Sequence, residues 1–335
     1  MKRATIRDVA HKARVSSATV SRYLNGNLQL PEETASRIRH AIEALSYAPS
    51  VLAQALSTGR SRTLGIIVPD IANPFFAQLA SAAEREAFTH GYALMLCSTE
   101  SHPERERHYL AELRAQRLDG TLFISEYIVG AGVAEQLAGI GNLVLVDEGL
   151  EGFGGVMVLV QNAEGARLAT EHLLELGHRR IAYVGGPPHL LTSRERVAGF
   201  EAALRAAGLT PDPRCMVHGP YRERTGVDAL GNFLELDVPP TAVFASSDVA
   251  AFGVLREARG RGLRVPGNLS VVGFDDVWVS QMLSPALTTV SQPIDALGAE
   301  AIRALLGLIR GEPVSIWQRR LPVRLVTRES TGPLR

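Results

Sequence analysis

From Leu64 onward the chain alternates short apolar runs with stretches of helical periodicity. The runs are LGIIV (64–68), YALMLC (92–97), GTLFI (120–124), NLVLVD (142–147), RIAYVGG (180–186), TAVFAS (241–246) and LSVVGFDD (269–276). Between them, residues 75–89, 104–116, 163–176, 194–207, 226–236 and 248–259 repeat apolar side chains at the spacing of a helix. Strand then helix, many times over, predicts doubly wound parallel sheets. There are too many units for one such sheet, and the pattern breaks near Gln161 and Asn162. Two similar α/β lobes around a cleft follow.

The N-terminal stretch has a different period. Ile6 to Gly26 reads as two short helices joined by a tight turn, the first with Val9, Ala10 and Ala13 on one face, the second entered through Ser16 as N-cap with Val20 and Leu24 on one face. Outward on the second helix are Ser17, Ala18, Ser21 and Arg22, a small polar set with one guanidinium suited to a base edge in a DNA major groove. Periodicity alone fits an ordinary helical hairpin equally well. A third helix is predicted over 31–47, with Ile38, Ile42 and Leu45 inward, followed by Pro49 to Leu56 and a Ser-Thr-Gly-Arg-Ser linker.

Charge sharpens this division. The 335 residues are neutral overall, yet residues 1–62 hold ten basic side chains against four acidic ones, an excess of six that the remainder offsets. A basic head on an acidic body fits one end placed on phosphate and the other kept off it. Lys2 and Lys12 are the only lysines, so the body holds neither a phosphate-loop lysine nor a Schiff-base lysine. Cys97 and Cys215 lie far apart with no CxxC spacing, which predicts buried thiols in a reducing compartment. No apolar run is long enough to span a membrane, and a cytoplasmic protein is expected.

Asp8 to Gly26 carries the pattern DVAxxAxVSxxTVSRxLNG. It resembles the helix-turn-helix of the lactose and galactose repressor family at nearly every position. The resemblance implies a head over 1–48, a hinge helix and linker over 49–62, and a two-lobed body over 63–335 similar to the periplasmic sugar-binding fold. Lobe 1 would take about 63–160 with 291–321, and lobe 2 about 162–288 with 322–335. It implies DNA contacts from Thr5, Ser16, Ser17, Ala18, Thr19, Ser21, Arg22, Asn25 and Ala53, with Leu56 wedged into the minor groove. One departure stands in the turn, where Arg14 replaces the family's usual glycine; if its φ is positive, the side chain costs on the order of 1 kcal/mol.

Ligands of open parallel sheets bind beyond the carboxyl ends of the strands. That rule selects Asp70, Asn73, Pro74, Phe75 and Phe76, then Asp147 and Glu148, Ser247 and Asp248, Asp275 and Asp276, with Arg194, Arg196, Tyr221 and Gln292 nearby. Rings that stack on C–H faces, beside paired acceptors and donors, suit a neutral polyhydroxylated ligand. By resemblance NPFF, SRERVAGF, SSDVAAFG and GFDD are the family's pocket segments, and Asn73, Phe75, Asp147, Arg196, Tyr221, Asp248, Asp275 and Gln292 are carried over as ligand-binding. Each acid fits a helix N-cap equally, Asp248 above all. A second departure is VLVQN, with Gln161 where the family has an acid.

Catalytic patterns are missing: there is no GxSxG and no HExxH. Gly152, Gly154 and Gly155 lack the GxGxxG order, and His102, Glu104 and His108 read as a solvated helix face, so neither a cofactor nor a metal is expected. The expectation is a cytoplasmic, homodimeric DNA-binding regulator, a repressor or an activator, acting on a near-palindromic operator. Without a heptad tail, a dimer is preferred to a tetramer. The LMLCSTE, SRERVAGF and GFDD segments are most similar to ribose-type repressors, which implies ribose or a related small sugar; a purine or a sugar phosphate is the other choice. The alternative from another class is a sugar-binding or sugar-processing protein whose head serves only as an interaction module.

Overall fold

The computed structural model describes residues 4–24, 28–47, 60–115, 118–127, 137, 139–313 and 318–334. It divides into two compact units, Met1–Arg62 and Thr63–Arg335. Asn25, Ala53 and Leu56, with most of the hinge segment, lie outside the described residues.

In the first unit, α1 (Ile6–Ala13), α2 (Ser17–Leu24) and α3 (Glu32–Ala44) close on one small core of Val9, Ala10, Ala13, Val20, Ile38 and Ala41. The Thr5 N–H and hydroxyl both donate to Asp8 Oδ2, at 2.7 and 2.8 Å, fixing the entry to α1. Arg14 ends that helix at φ 53°, ψ 47°, and Val15 N–H reaches back to the Ala10 carbonyl at 3.0 Å. The turn is therefore left-handed, and a side chain occupies a position that suits glycine. Ser16 Oγ accepts the Thr19 N–H at 3.0 Å, capping α2 as its sequence predicts.

Among the described residues, the second unit holds two six-stranded sheets. The first contains β1 (Thr63–Val68), β2 (Ala93–Ser98), β3 (Gly120–Phe123), β4 (Leu143–Val146), β5 (Val156–Val160) and β11 (Gln318–Leu321), ordered β11-β5-β4-β3-β1-β2 and parallel throughout. The second contains β6 (Ile181–Gly185), β7 (Met216–His218), β8 (Ala242–Ala245), β9 (Ser270–Asp275), β10 (Thr288–Ser291) and β12 (Arg324–Val326), ordered β12-β10-β9-β8-β6-β7; only β12 runs antiparallel to its neighbour. Inner strands are buried on both faces, which is why they read as unbroken apolar runs.

Helices α4 (Pro74–Thr89), α5 (Pro103–Ala115) and α10 (Ile294–Arg310) belong to lobe 1. Lobe 2 has α6 (Asn162–Glu175), α7 (Leu191–Ala206), α8 (Glu223–Leu234) and α9 (Asp248–Gly260). The chain passes between lobes from β5 to α6, from β10 to α10 and from β11 to β12. Gly199 of α7 lies against the Ala163 carbonyl of α6, where a Cβ would collide with backbone. That contact sets how closely α7, which carries Arg196, lies on its neighbour.

Candidate ligand cleft and nucleic-acid interface

A narrow cleft with about 30 Å³ of free space lies between the lobes, lined by loops that follow β1, β3 and β4 on one side and by α7, the β7 and β8 loops and the end of β9 on the other. Lobe 1 contributes Asn73, Phe75, Phe76, Ser125, Glu126, Asp147 and Glu148. Asn73 Oδ1 accepts the Phe75 N–H at 3.0 Å and Pro74 occupies the first helical position, so the start of α4 presents Phe75 and Phe76, which meet edge-on at 5.3 Å.

Asp147 follows β4 with φ at 64°. It is 9% exposed, and its Oδ1 has no hydrogen-bond partner. Burial pushes its carboxyl up to about 6, against the pull of Arg196. Glu148 is buried too and is pushed up to about 7, but its oxygens are engaged by Leu191 and Thr192 of lobe 2.

Lobe 2 contributes Thr192, Arg196, Tyr221, Ser247 and Asp275. The Arg196 guanidinium is almost wholly buried, donating through Nε to Asn162 Oδ1 at 2.8 Å and through Nη1 to the Ser246 carbonyl at 2.6 Å. It stacks 3.9 Å above the Phe274 ring and lies 3.8 Å from Asp275 Oδ1. Asp275 accepts from Gln292 Nε2 at 2.8 Å, and burial raises its carboxyl well above the usual range despite Arg196. Tyr221 closes this side, its hydroxyl pushed up to about 12 by burial.

Six of the eight residues singled out in the sequence meet at this cleft: Asn73, Phe75, Asp147, Arg196, Tyr221 and Asp275. Gln292 stands behind Asp275 rather than on the wall. Asp248 is the correction. It is the first residue of α9 and fully buried, and its carboxylate accepts from Val277 N–H, the Ser280 hydroxyl and the Thr289 hydroxyl at 3.0, 2.6 and 2.5 Å. Its three donors come from the chain itself and it does not line the cleft, and the capping role falls to Ser247, whose Oγ accepts the Ala250 N–H at 3.2 Å. Gln161 is exposed; its backbone N–H, not its side chain, serves the crossing, donating to the Leu321 carbonyl at 2.9 Å.

Ser125, Glu126 and Thr192 were not anticipated. The first two follow β3 at its carboxyl end, so the strand-end rule could have found them. Thr192 was hidden because α7 begins three residues before the predicted start.

On the head, the Ser16 and Thr19 hydroxyls bond each other at 2.8 Å. Thr5 is tied to Asp8. Ala18 and Arg22 are exposed on α2, with Ser17 and Ser21 half-buried beside them, and Arg22 has no hydrogen-bond or ionic partner among the described residues. Its guanidinium is thus available to an outside acceptor. No described helix is long and apolar enough to cross a membrane.

Residues 5–50 match the model of bacterial regulatory proteins of the lacI family, and residues 170–331 match that of the periplasmic binding protein-like domain. The chain is 38% identical to the ribose operon repressor of Halalkalibacterium halodurans over 98% of its own length and 97% of the relative's. It is 33% identical to the transcriptional repressor CytR of Escherichia coli, over 99% and 97%. A crystal structure of the lac repressor dimer bound to operator and the anti-inducer ONPF superposes with a TM-score of 0.87 at 28% identity, covering 99% of this chain and all of that one. With head, body and full-length relatives in agreement, the chain belongs to the lacI family of bacterial regulatory proteins, which are DNA-binding transcriptional repressors and not enzymes.

Proposed function

We propose that this chain works in the cytoplasm as a homodimeric repressor, with a head over 1–48, a hinge over 49–62 and a body over 63–335. Its affinity for a near-palindromic operator is set by a small uncharged sugar, ribose or a close relative, bound between the lobes. The observation that carries the sugar reading is Asp147, a buried carboxylate whose Oδ1 has no protein partner, on a cleft wall beside two phenylalanine rings and opposite a guanidinium. A buried acceptor without a donor is costly, and hydroxyl groups of a sugar supply donors while its C–H faces meet the rings. The name of the Halalkalibacterium relative supports ribose, and the lac repressor complex supports a dimer on operator DNA. In this reading Arg22 is the main base-reading side chain, worth roughly 1 to 3 kcal/mol of discrimination.

Calorimetric titration with D-ribose tests it. The wild-type chain binds, and Asp147→Ala loses affinity on the order of 10- to 100-fold, the worth of a hydrogen bond to a charged group. Equal affinity in both overturns the role of the cleft. A gel shift with operator DNA tests the head: affinity should fall steeply as salt rises and depend on sequence. Binding that ignores both favours a head serving only as an interaction module.

A further inference from the structure

Helix α7 starts without a cap of its own. Its N-cap position is Leu190, whose side chain has no acceptor for the free N–H groups of the first turn. The acceptor arrives from the opposite lobe. Glu148, in the loop after β4, takes the Leu191 N–H on Oε1 at 2.7 Å, the Thr192 N–H at 3.4 Å and the Thr192 hydroxyl on Oε2 at 2.7 Å. At 3% exposure the carboxylate has little water to replace these partners.

Further along, the same helix reaches the crossings between lobes. Arg320, on β11, makes two hydrogen bonds to the Glu195 carboxylate at 2.8 and 2.6 Å, and Asn162 at the first crossing accepts from Arg196. One helix therefore touches the lobe 1 loop at its start and two of the crossings between lobes one turn later. Other elements bridge the cleft separately. The Trp278 N–H donates to Gln78 Oε1 of α4 at 3.2 Å, and Val277 packs in the lobe 1 core.

We propose that Glu148 is a catch between the lobes, a helix cap supplied across the cleft, so that closure is stored in the chain and the ligand shifts a pre-existing equilibrium. Opening separates a carboxylate from the partially positive end of a helix and leaves two N–H groups uncapped. Burial opposes this, since it favours the neutral carboxyl, and the two effects together keep the catch releasable. A ligand that touches both walls then needs to supply only the difference in affinity between open and closed forms.

The proposal rests on reading the cleft as the effector site, but its test requires neither effector nor operator. Backbone hydrogen exchange is followed in the full-length, ligand-free chain, with β8 and β9 as the folding control. Glu148→Ala should exchange about tenfold faster at Leu191 and Thr192, the size expected for a lost cap, and faster as well across 277–282, whose bridge involves neither residue. Glu148→Gln, which keeps the volume and one acceptor oxygen, should fall between. If the alanine variant does not fold, the glutamine variant and Thr192→Val carry the same comparison. Faster exchange confined to the first turn of α7 makes Glu148 a local cap and overturns the catch, as does no change at all. Failure of D-ribose to bind would leave these exchange rates as they are, so the two readings fail separately.

Discussion

The two lobes share a strand order but furnish the cleft in different ways. On the lobe 2 wall, Arg196 and Asp275 are already knitted to Asn162, Ser246 and Gln292, and the guanidinium rests on Phe274. On the lobe 1 wall, Asp147 is buried with an oxygen unpartnered and a backbone in the left-handed region. Lobe 2 keeps unpartnered atoms as well, the Tyr221 hydroxyl and Gln292 Oε1, but its Arg196 and Asp275 are held by protein partners, whereas Asp147 keeps an acceptor without a donor at a cost. Substitutions at the partnered Arg196 and at the partly unpartnered Asp147 should therefore move stability in opposite directions.

The largest effect is expected at Arg196. Arg196→Met removes the cation nearest Asp275 and strips Asn162 and Ser246 of their donor, which should cost about 3 to 5 kcal/mol in urea unfolding. A loss below about 1 kcal/mol, the scale of an exposed pair, would mean that lobe 2 is not pre-assembled. On the lobe 1 wall, Asp147→Asn should stabilise the ligand-free chain at pH 8 by roughly 1 to 3 kcal/mol, because a buried charge is no longer required. Destabilisation there would erase the contrast between the walls.

Titration sharpens the same point. Asp147 is raised from 3.8 to about 6 and Glu148 from 4.5 to about 7, both chiefly by burial. A carboxyl raised on folding lends stability that is complete below its unfolded value and lost as pH climbs through the folded one. Melting temperature should therefore fall between pH 5 and pH 8, by an amount equivalent to roughly 3 to 4 kcal/mol. The fall should be smaller in the double variant Asp147→Asn, Glu148→Gln. An equal fall in both proteins would assign the titration to other groups, with Glu106, raised to about 7 by burial in lobe 1, the first to examine.

The smallest effect compares strain at the cleft with strain that has no binding role. Arg14 shares with Asp147 a left-handed backbone, but its side chain is exposed in the head. Arg14→Gly should slow hydrogen exchange of α1 by the equivalent of about 1 kcal/mol without touching D-ribose affinity. Asp147→Gly should relieve similar strain and lose the ligand.

Much of this was written into the sequence. Strands buried on both faces advertise themselves, and the strand-end rule led directly to Phe75, Asp147 and Asp275. Helix α10 was equally legible, with buried positions 294, 297, 298, 301, 302, 305 and 306, although it was not among the stretches singled out. Three of the four edge strands were not, because MVH, QRRL and RLV are short and partly exposed and gain their identity only by pairing. Ser247 and Asp248 both fit a helix cap, and only the backbone decides that the serine caps while the aspartate turns toward Thr289. Glu148 was on the short list but gave no sign of its role, since its partners lie more than 40 positions away in the other lobe.

The way β11 and β12 complete the two sheets bears on how the protein is made. β11 joins lobe 1 beside β5, while β12 and the residues behind it are sewn to lobe 2, Ser330 Oγ to the Val271 carbonyl at 2.6 Å and Leu334 N–H to the Leu176 carbonyl at 2.9 Å. During synthesis the head emerges first with all the contacts of its small core, whereas both lobes wait, each with an unpaired sheet edge, until residues 318–334 leave the ribosome. At about 5 to 20 residues per second that interval lasts on the order of 10 to 50 seconds after the head has emerged. A nascent regulator thus carries a DNA-reading head before it has a finished sensor, and the unpaired edges are where a chaperone has most to protect.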